Sequence, residues 1–288
     1  MTTYTATLRT SDRDAVTRTE MALEELRLPP VAITSRVLDP YLWEVTAYFV
    51  ANPDPEPLNC IAMNVGRHPF VIETLPDRNW VIESQRMLPP LEIGRFWVHS
   101  SASGQKTPGG LHPLCVEASE AFGTGRHATT QGCLMAIDHL ATCRFRPTGI
   151  CDLGCGTAIL AMASARCWPA QAVIATDRDE RAIATARATL EANEMTDRVS
   201  LAVADGFDHP IHRQNRPYDL IMANLLLGAI LGLAKDLAAH CRANGRIVLA
   251  GLLADQADQA RAACQETGFA LERECVLDGW STLIMRKT

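Results

Sequence analysis

The sequence predicts an α/β protein: a doubly wound, seven-stranded sheet, parallel except for a terminal antiparallel hairpin, preceded by a small α+β module. Three observations carry this reading. From about Leu111 onward, apolar runs of strand length alternate with helical stretches; two strand-like runs lie back to back around Asp278-Gly279; and the first 75 residues read as strand, helix, strand, strand, helix, strand. A chain of 288 residues with 47% hydrophobic content is long and apolar enough for two cores.

In the first 75 residues, positions 4–9 alternate in polarity, positions 12–26 carry helical spacing after a Ser11/Asp12 cap, and 31–37 and 42–50 are strand-like. A short helix over 58–65 and a strand over 70–75 complete the β-α-β-β-α-β order of a ferredoxin-like sandwich, a small binding module. Six arginines and no lysine stand against ten acids there, a balance of −4, which fits either a basic partner or a solvated acidic face. Residues 76–110 change character, with Pro76, Pro89-Pro90 and a Ser/Gly-rich stretch over 100–110, and read as a connector with one embedded strand over 94–99 and a mobile loop. The larger domain then occupies 111–288. Its strands fit 150–153, 173–176, 199–203, 219–223 and 245–250; a helix over 255–267 follows, then strands over 269–276 and 280–285 joined by a tight turn.

Composition excludes several function classes. Aromatics are 6% and the net charge is −6, which argues against affinity built on neutralising phosphates, so no direct nucleic-acid partner is expected. The opening residues lack a basic segment followed by an apolar core, so a cytoplasmic location is expected. The longest apolar run, 220–234, is broken by Asn224 and two glycines and falls short of the roughly 20 residues a bilayer span needs, so no membrane partner is expected. Ten cysteines show no CxxC spacing and read as reduced, mostly buried thiols. His209, His212 and His127 lack companions at ligand spacing, so no metal is assigned. A monomer is the expectation.

The most informative stretch is Asp152-Leu153-Gly154-Cys155-Gly156-Thr157-Ala158, where a buried strand turns into a helix. Gly154 and Gly156 let a ligand approach the backbone, and Asp152 places a carboxylate where a cationic amino group could be held. Asp177, at the end of the next strand, lies 21 residues beyond Gly156, the position from which a carboxylate takes both hydroxyls of a ribose. Asp205-Gly206 follows the third strand and borders an adenine ring in this reading, while Asn224 ends the fourth. A dehydrogenase would need a glycine where Ile159 stands and would give Asp152 no role. Its pyrophosphate would rest on the helix N-terminus, whereas S-adenosylmethionine brings a sulfonium cation that suits an acidic turn. The terminal hairpin likewise favours a class I methyltransferase.

A second feature is Ala121-Phe122-Gly123-Thr124-Gly125-Arg126-His127-Ala128-Thr129-Thr130, just before a helix that runs to about Cys143. Such a loop can fold over a ligand or simply cap the helix, with Thr129 or Thr130 as N-cap.

Together these residues resemble the bacterial ribosomal protein L-eleven methyltransferases of the PrmA type. That family carries an Ala-Phe-Gly-Thr-Gly-Thr-His-Pro-Thr-Thr loop, an Asp-x-Gly-Cys-Gly-Ser-Gly-Ile-Leu turn and an Asn-Ile-Leu-Ala segment, matched here by 121–130, 152–160 and 223–226. Similarity extends to 251–256, to Gly279-Trp280 and to Asp77-Arg78-Asn79-Trp80. The resemblance covers about residues 75–288; in the first 75, size and element order agree. It implies an enzyme that moves methyl groups from S-adenosylmethionine to amino groups of one basic ribosomal protein, lysine side chains or the N-terminal amine, gripped by the N-terminal module. By position, Thr130, Gly154, Asp177 and Asn224 hold the cofactor and Phe122 and Thr124 close the loop over it; Asp152, Gly156 and Asp205 complete the expected set.

Three departures stand out. The family's loop Thr and Pro are Arg126 and Ala128 here, the third glycine of the turn is Ala158, and the proline usual after the Asn segment is absent. Cofactor binding is expected to survive the small Ala158 methyl, and Arg126 is the change expected to alter substrate contact. Asn224 is the candidate catalytic residue: its carbonyl can accept a hydrogen bond from the acceptor amine or contact the methionine part of the cofactor, and it could also merely cap the next helix. Two alternatives differ in class: a lysine methyltransferase for another protein, with the same site residues, and a non-catalytic S-adenosylmethionine-binding protein.

Overall fold

A computed structural model describes residues 3–39, 41–65, 69–75, 89–117 and 125–288. The chain divides into two compact units, Met1–Trp80 and Val81–Thr288.

The first unit runs β1 (Thr3–Thr10), α1 (Arg13–Glu24), β2 (Ala32–Asp39), β3 (Leu42–Phe49), α2 (Pro55–Asn64) and β4 (Val71–Leu75). Its sheet has the order β2-β3-β1-β4 with every pair antiparallel. Both helices start on an aspartate whose carboxylate accepts a backbone N–H, Asp12 from Asp14 at 2.9 Å and Asp54 from Glu56 at 3.0 Å. Alternation decides the faces. Ala6 and Leu8 of β1 pair with Ala47 and Val45 of β3 and pack with Leu23 of α1 and Leu58 and Ile61 of α2. On the opposite face, Glu44 is only 4% exposed and lies between Arg9 Nε at 2.8 Å and Arg36 Nε at 2.7 Å. Burial alone would raise its carboxyl; the two guanidiniums outweigh burial and hold it below the usual range.

The second unit opens with β5 (Leu91–Ile93) and β6 (Phe96–His99), an antiparallel pair turning on Gly94-Arg95, and β7 (His112–Cys115), parallel to β6. The sequence suggests one strand over 94–99; the structure keeps its last four residues as β6, makes Gly94-Arg95 the turn from β5, and gives β6 a second, distant partner. The main sheet follows: α3 (Ala128–Thr142), β8 (Ile150–Leu153), α4 (Ile159–Cys167), β9 (Val173–Asp177), α5 (Glu180–Ala192), β10 (Val199–Val203), α6 (Pro210–Asn215), β11 (Tyr218–Asn224), α7 (Leu227–His240), β12 (Cys241–Leu253), α8 (Ala257–Glu266), β13 (Phe269–Leu277) and β14 (Trp280–Lys287). Strand order is β10-β9-β8-β11-β12-β14-β13. Strands β8 to β12 pair in parallel, while β14 runs antiparallel to both neighbours. The last hairpin therefore slots β14 between β12 and β13 rather than adding both strands outward.

All four residues of β8 are buried, because helices cover both faces of the sheet. Ile150 joins a core with Leu134 and Ile137 of α3, Ile159 and Met162 of α4 and Ile183 of α5. Cys151 and Leu153 join the opposite core with Ile230 and Leu237 of α7 and Ala260 of α8. All ten cysteines are free thiols; Cys60 on α2 and Cys143 just after α3 are the exposed ones. Among the described residues, no helix is long and apolar enough to cross a membrane.

Candidate active site

Sheet order reverses between β8 and β11, and the register Ala223↔Leu153 sets their carboxyl ends side by side. In an open α/β sheet this is where ligands bind. Two groups of residues meet there.

The first is the glycine turn after β8. Gly154, Gly156 and Ala158 adopt φ of 70°, 53° and 62°, all left-handed. The left-handed angle at Gly154 favours glycine, and a Cβ there would fall 2.4 Å from Leu225 Cδ2 and push that side chain aside. The family's third glycine also has its reason here: Ala158 sits in the same left-handed region, which costs an L-residue about 1–2 kcal/mol. The turn is bound to the end of β9 through its own amides. Gly154 and Cys155 N–H donate to the Thr176 carbonyl at 2.8 and 3.0 Å, and Gly156 N–H donates to Asp177 Oδ2 at 3.0 Å. Asp177 Oδ1 accepts the Asp179 N–H at 3.0 Å, so this carboxylate braces two loops.

Asp152 is 1% exposed, and its Oδ2 accepts the Ala161 N–H of α4 at 2.9 Å. Burial pushes its carboxyl up to about 7, against the pull of that N–H and with the Asp177 charge adding to the rise. Asp205 lies exposed after β10, and the loop is tied back where Ala204 N–H donates to the Asp177 carbonyl at 2.9 Å.

The second group joins the end of β11 to the start of α3. Asn224 does not cap α7, whose N-cap is Leu226 without a side-chain bond. Instead Asn224 Nδ2 donates to Thr129 Oγ1 at 3.3 Å, and Asn224 Oδ1 is buried with no hydrogen-bond partner among the described residues. Thr130 Oγ1, in the same helical turn as Thr129, is buried in the same condition. The N-cap of α3 is His127, in place of the Thr129 or Thr130 that the sequence suggests. Its Nδ1 accepts the Thr129 N–H at 3.4 Å and lies 2.8 Å from Thr129 Oγ1. The His127 ring meets Trp280, the first residue of β14, edge-on at 4.9 Å between centroids.

Of the residues expected from the sequence, Gly154 and Gly156 are bonded to the end of β9 at Thr176 and Asp177, Asp152 beside them is bonded to α4, and Asn224 lies with Thr130 in the second group. Phe122 and Thr124 fall outside the described residues. Arg126 Nη2 donates to the Pro89 carbonyl at 2.5 Å, an attachment within its own unit. His127 and Thr129 are the members that sequence reasoning missed as site residues; their signal is the His-x-Thr-Thr spacing, and it acquires meaning only beside Asn224.

The arrangement fits S-adenosylmethionine. Two buried oxygens without partners among the described residues, Asn224 Oδ1 and Thr130 Oγ1, lie at strand and helix ends that converge on the turn, and three carboxyl groups, Asp152, Asp177 and Asp205, stand at or just past the ends of β8, β9 and β10, a set that suits a cationic ligand.

Comparison with known proteins agrees. The family model described as ribosomal protein L11 methyltransferase (PrmA) matches residues 6–288. A ribosomal protein L11 methyltransferase of Brucella suis (strain ATCC 23445 / NCTC 10510) is 36% identical over 257 residues, covering 89% of each chain. One from Bradyrhizobium diazoefficiens is 34% identical over 249 residues, 85% of this chain and 84% of the other. Among solved structures, a ribosomal protein L11 methylase from Lactobacillus delbrueckii subsp. bulgaricus superposes with a TM-score of 0.62 at 22% identity, over 70% of this chain and all of that one, and so shares its fold.

Proposed function

Since the chain belongs to the ribosomal protein L11 methyltransferase family, we propose that it transfers methyl groups from S-adenosylmethionine to amino groups of ribosomal protein L11, lysine side chains or the N-terminal amine. The observation that carries this reading is the buried Asn224 carbonyl oxygen without a partner, at the sheet position where the order reverses.

When bound, S-adenosylmethionine supplies an electrophilic methyl group on a sulfonium. Asp177 takes the ribose hydroxyls with whatever acceptor capacity its two N–H bonds leave, and Gly154 and Gly156 offer backbone that no Cβ obstructs. Thr130 and Asp152 would hold the methionine part and Asp205 would border the adenine, while Phe122 and Thr124, by their positions in the family motif, would close over the cofactor. Methyl transfer is an in-line displacement, so the protein's chief task is to hold a neutral amine in line. Asn224 Oδ1 does this by accepting one amine N–H, which leaves the nitrogen lone pair to point elsewhere. A lysine enters with a reference pKa of about 10.4 and must arrive deprotonated, which desolvation in a closed site favours. The first unit is read as a ferredoxin-like module that grips L11; its element order and its antiparallel β2-β3-β1-β4 sheet support that reading.

The test is incubation with radiolabelled S-adenosylmethionine and the large-subunit ribosomal proteins, with mass spectrometry to locate the label. Label on L11 that disappears in Asn224→Ala is the expected result. Label confined to a different protein would overturn the substrate, and cofactor binding without any transfer would overturn the activity.

A further inference from the structure

The hydrogen bonds around Asn224 have a direction that can be followed from the backbone outward. The Thr129 N–H can only donate, and it donates to His127 Nδ1, so that nitrogen carries a lone pair and the imidazole proton sits on Nε2. The Thr129 hydroxyl, 2.8 Å from the same Nδ1, must then be the donor in that contact. Its oxygen is left with lone pairs for Asn224, which can answer only with its amide N–H₂, at 3.3 Å. The amide oxygen is thereby forced to the other side, where it is buried without a partner among the described residues. Asn orientation is ordinarily ambiguous; here a fixed backbone donor resolves it. The edge contact with Trp280 holds the His127 ring in the plane this requires.

We propose that His127 and Thr129 are positioning residues: they lock the Asn224 amide with its carbonyl oxygen turned toward the acceptor amine. A reversed amide would present N–H₂ to the amine, where it opposes the amine N–H groups or ties up the lone pair that must attack the methyl carbon, and the aligning bond is lost. This rests on Asn224 serving the amine as proposed above.

Full-length variants assayed on purified L11 at saturating S-adenosylmethionine, with cofactor affinity measured separately by calorimetry, test it. Thr129→Val keeps the shape and removes the hydroxyl; kcat falls on the order of 10- to 100-fold while cofactor Kd changes by less than about threefold. Thr129→Ser recovers most of the lost rate. His127→Ala, at an exposed position that tolerates truncation, lowers kcat in the same way, and His127→Asp, whose carboxylate accepts both bonds, recovers part of it. Unchanged kcat in Thr129→Val, a loss confined to cofactor Kd, or a Thr129→Ser variant no faster than Thr129→Val would each overturn the lock while Asn224→Ala remains inactive. Wild-type kcat in Asn224→Ala itself would instead sink the role of Asn224.

Discussion

The glycine turn and the His127–Asn224 corner lie at the ends of neighbouring strands, yet they satisfy their polar groups in opposite ways. The turn is complete within itself: the N–H groups of Gly154, Cys155 and Gly156 and both Asp177 oxygens have partners in the protein. The corner is left open, with Asn224 Oδ1 and Thr130 Oγ1 buried and unbonded among the described residues. An unsatisfied buried acceptor costs roughly 1–3 kcal/mol, a cost that a ligand donor removes. One region is thus a scaffold shaped before any ligand arrives, and the other is a receiver that is completed on binding.

Damage to the scaffold therefore lowers stability and binding together, whereas removal of a receiver hydroxyl or amide lowers binding or turnover and spares stability. The largest effect belongs to Asp177→Ala. Cofactor Kd weakens by about 100-fold, and the loss of an acceptor for two backbone N–H groups lowers stability by about 2–3 kcal/mol, read from calorimetry and denaturant melts. A normal melt with weak binding would remove Asp177 from the scaffold.

The Asp152 carboxyl, pushed up to about 7 by burial, lies between the two cases. Its folded value is above the unfolded one, so its contribution to stability is full below the unfolded pKa and is lost as pH rises through about 7. A cationic cofactor prefers the ionised form, so Kd tightens as pH rises, by up to about tenfold per unit below pH 7, and levels off above it. Titration calorimetry across that range checks the slope. Asp152→Asn is expected to flatten it, and an unaltered slope would assign the dependence to another group.

A smaller effect separates the regions most cleanly. Thr130→Val removes a hydroxyl that has no partner, so the ligand-free protein keeps its stability or gains up to about 1 kcal/mol, while cofactor binding weakens by about three- to tenfold. Destabilisation in the melt would show that the hydroxyl was already bonded. The smallest effect is Ala158→Gly, which relieves a left-handed alanine; unfolded-chain entropy offsets part of the gain, and Tm rises by roughly 1–3 °C with activity retained. An unchanged or lower Tm would mean that the buried methyl outweighs the backbone.

How much of this was legible in the sequence follows the same division. The scaffold could be read because its determinants are local: a strand, two glycines, a helix, and an acid at the end of the next strand. The receiver could be read only residue by residue. Asn224 and Thr130 are visible as strand-end and loop positions, but the direction of the Asn224 amide depends on His127, Thr129 and Trp280, brought to it from two distant segments. The same limit explains the small sheet. Gly94-Arg95 reads as the start of a strand until β5 folds back on β6, and the parallel partner β7 arrives only after residues 100–111. Insertion of β14 between β12 and β13 is likewise a matter of pairing, on which periodicity is silent.

The distribution of thiols has a practical consequence. Eight of the ten cysteines are at least partly shielded, and burial raises the thiols of Cys133, Cys151, Cys155 and Cys241, which slows their alkylation. The two exposed ones fall one to each compact unit, Cys60 in the first and Cys143 in the second. A maleimide dye pair would therefore attach at natural positions on both units, making the wild-type chain its own spectroscopic ruler for following the first unit against the second while L11 binds and leaves.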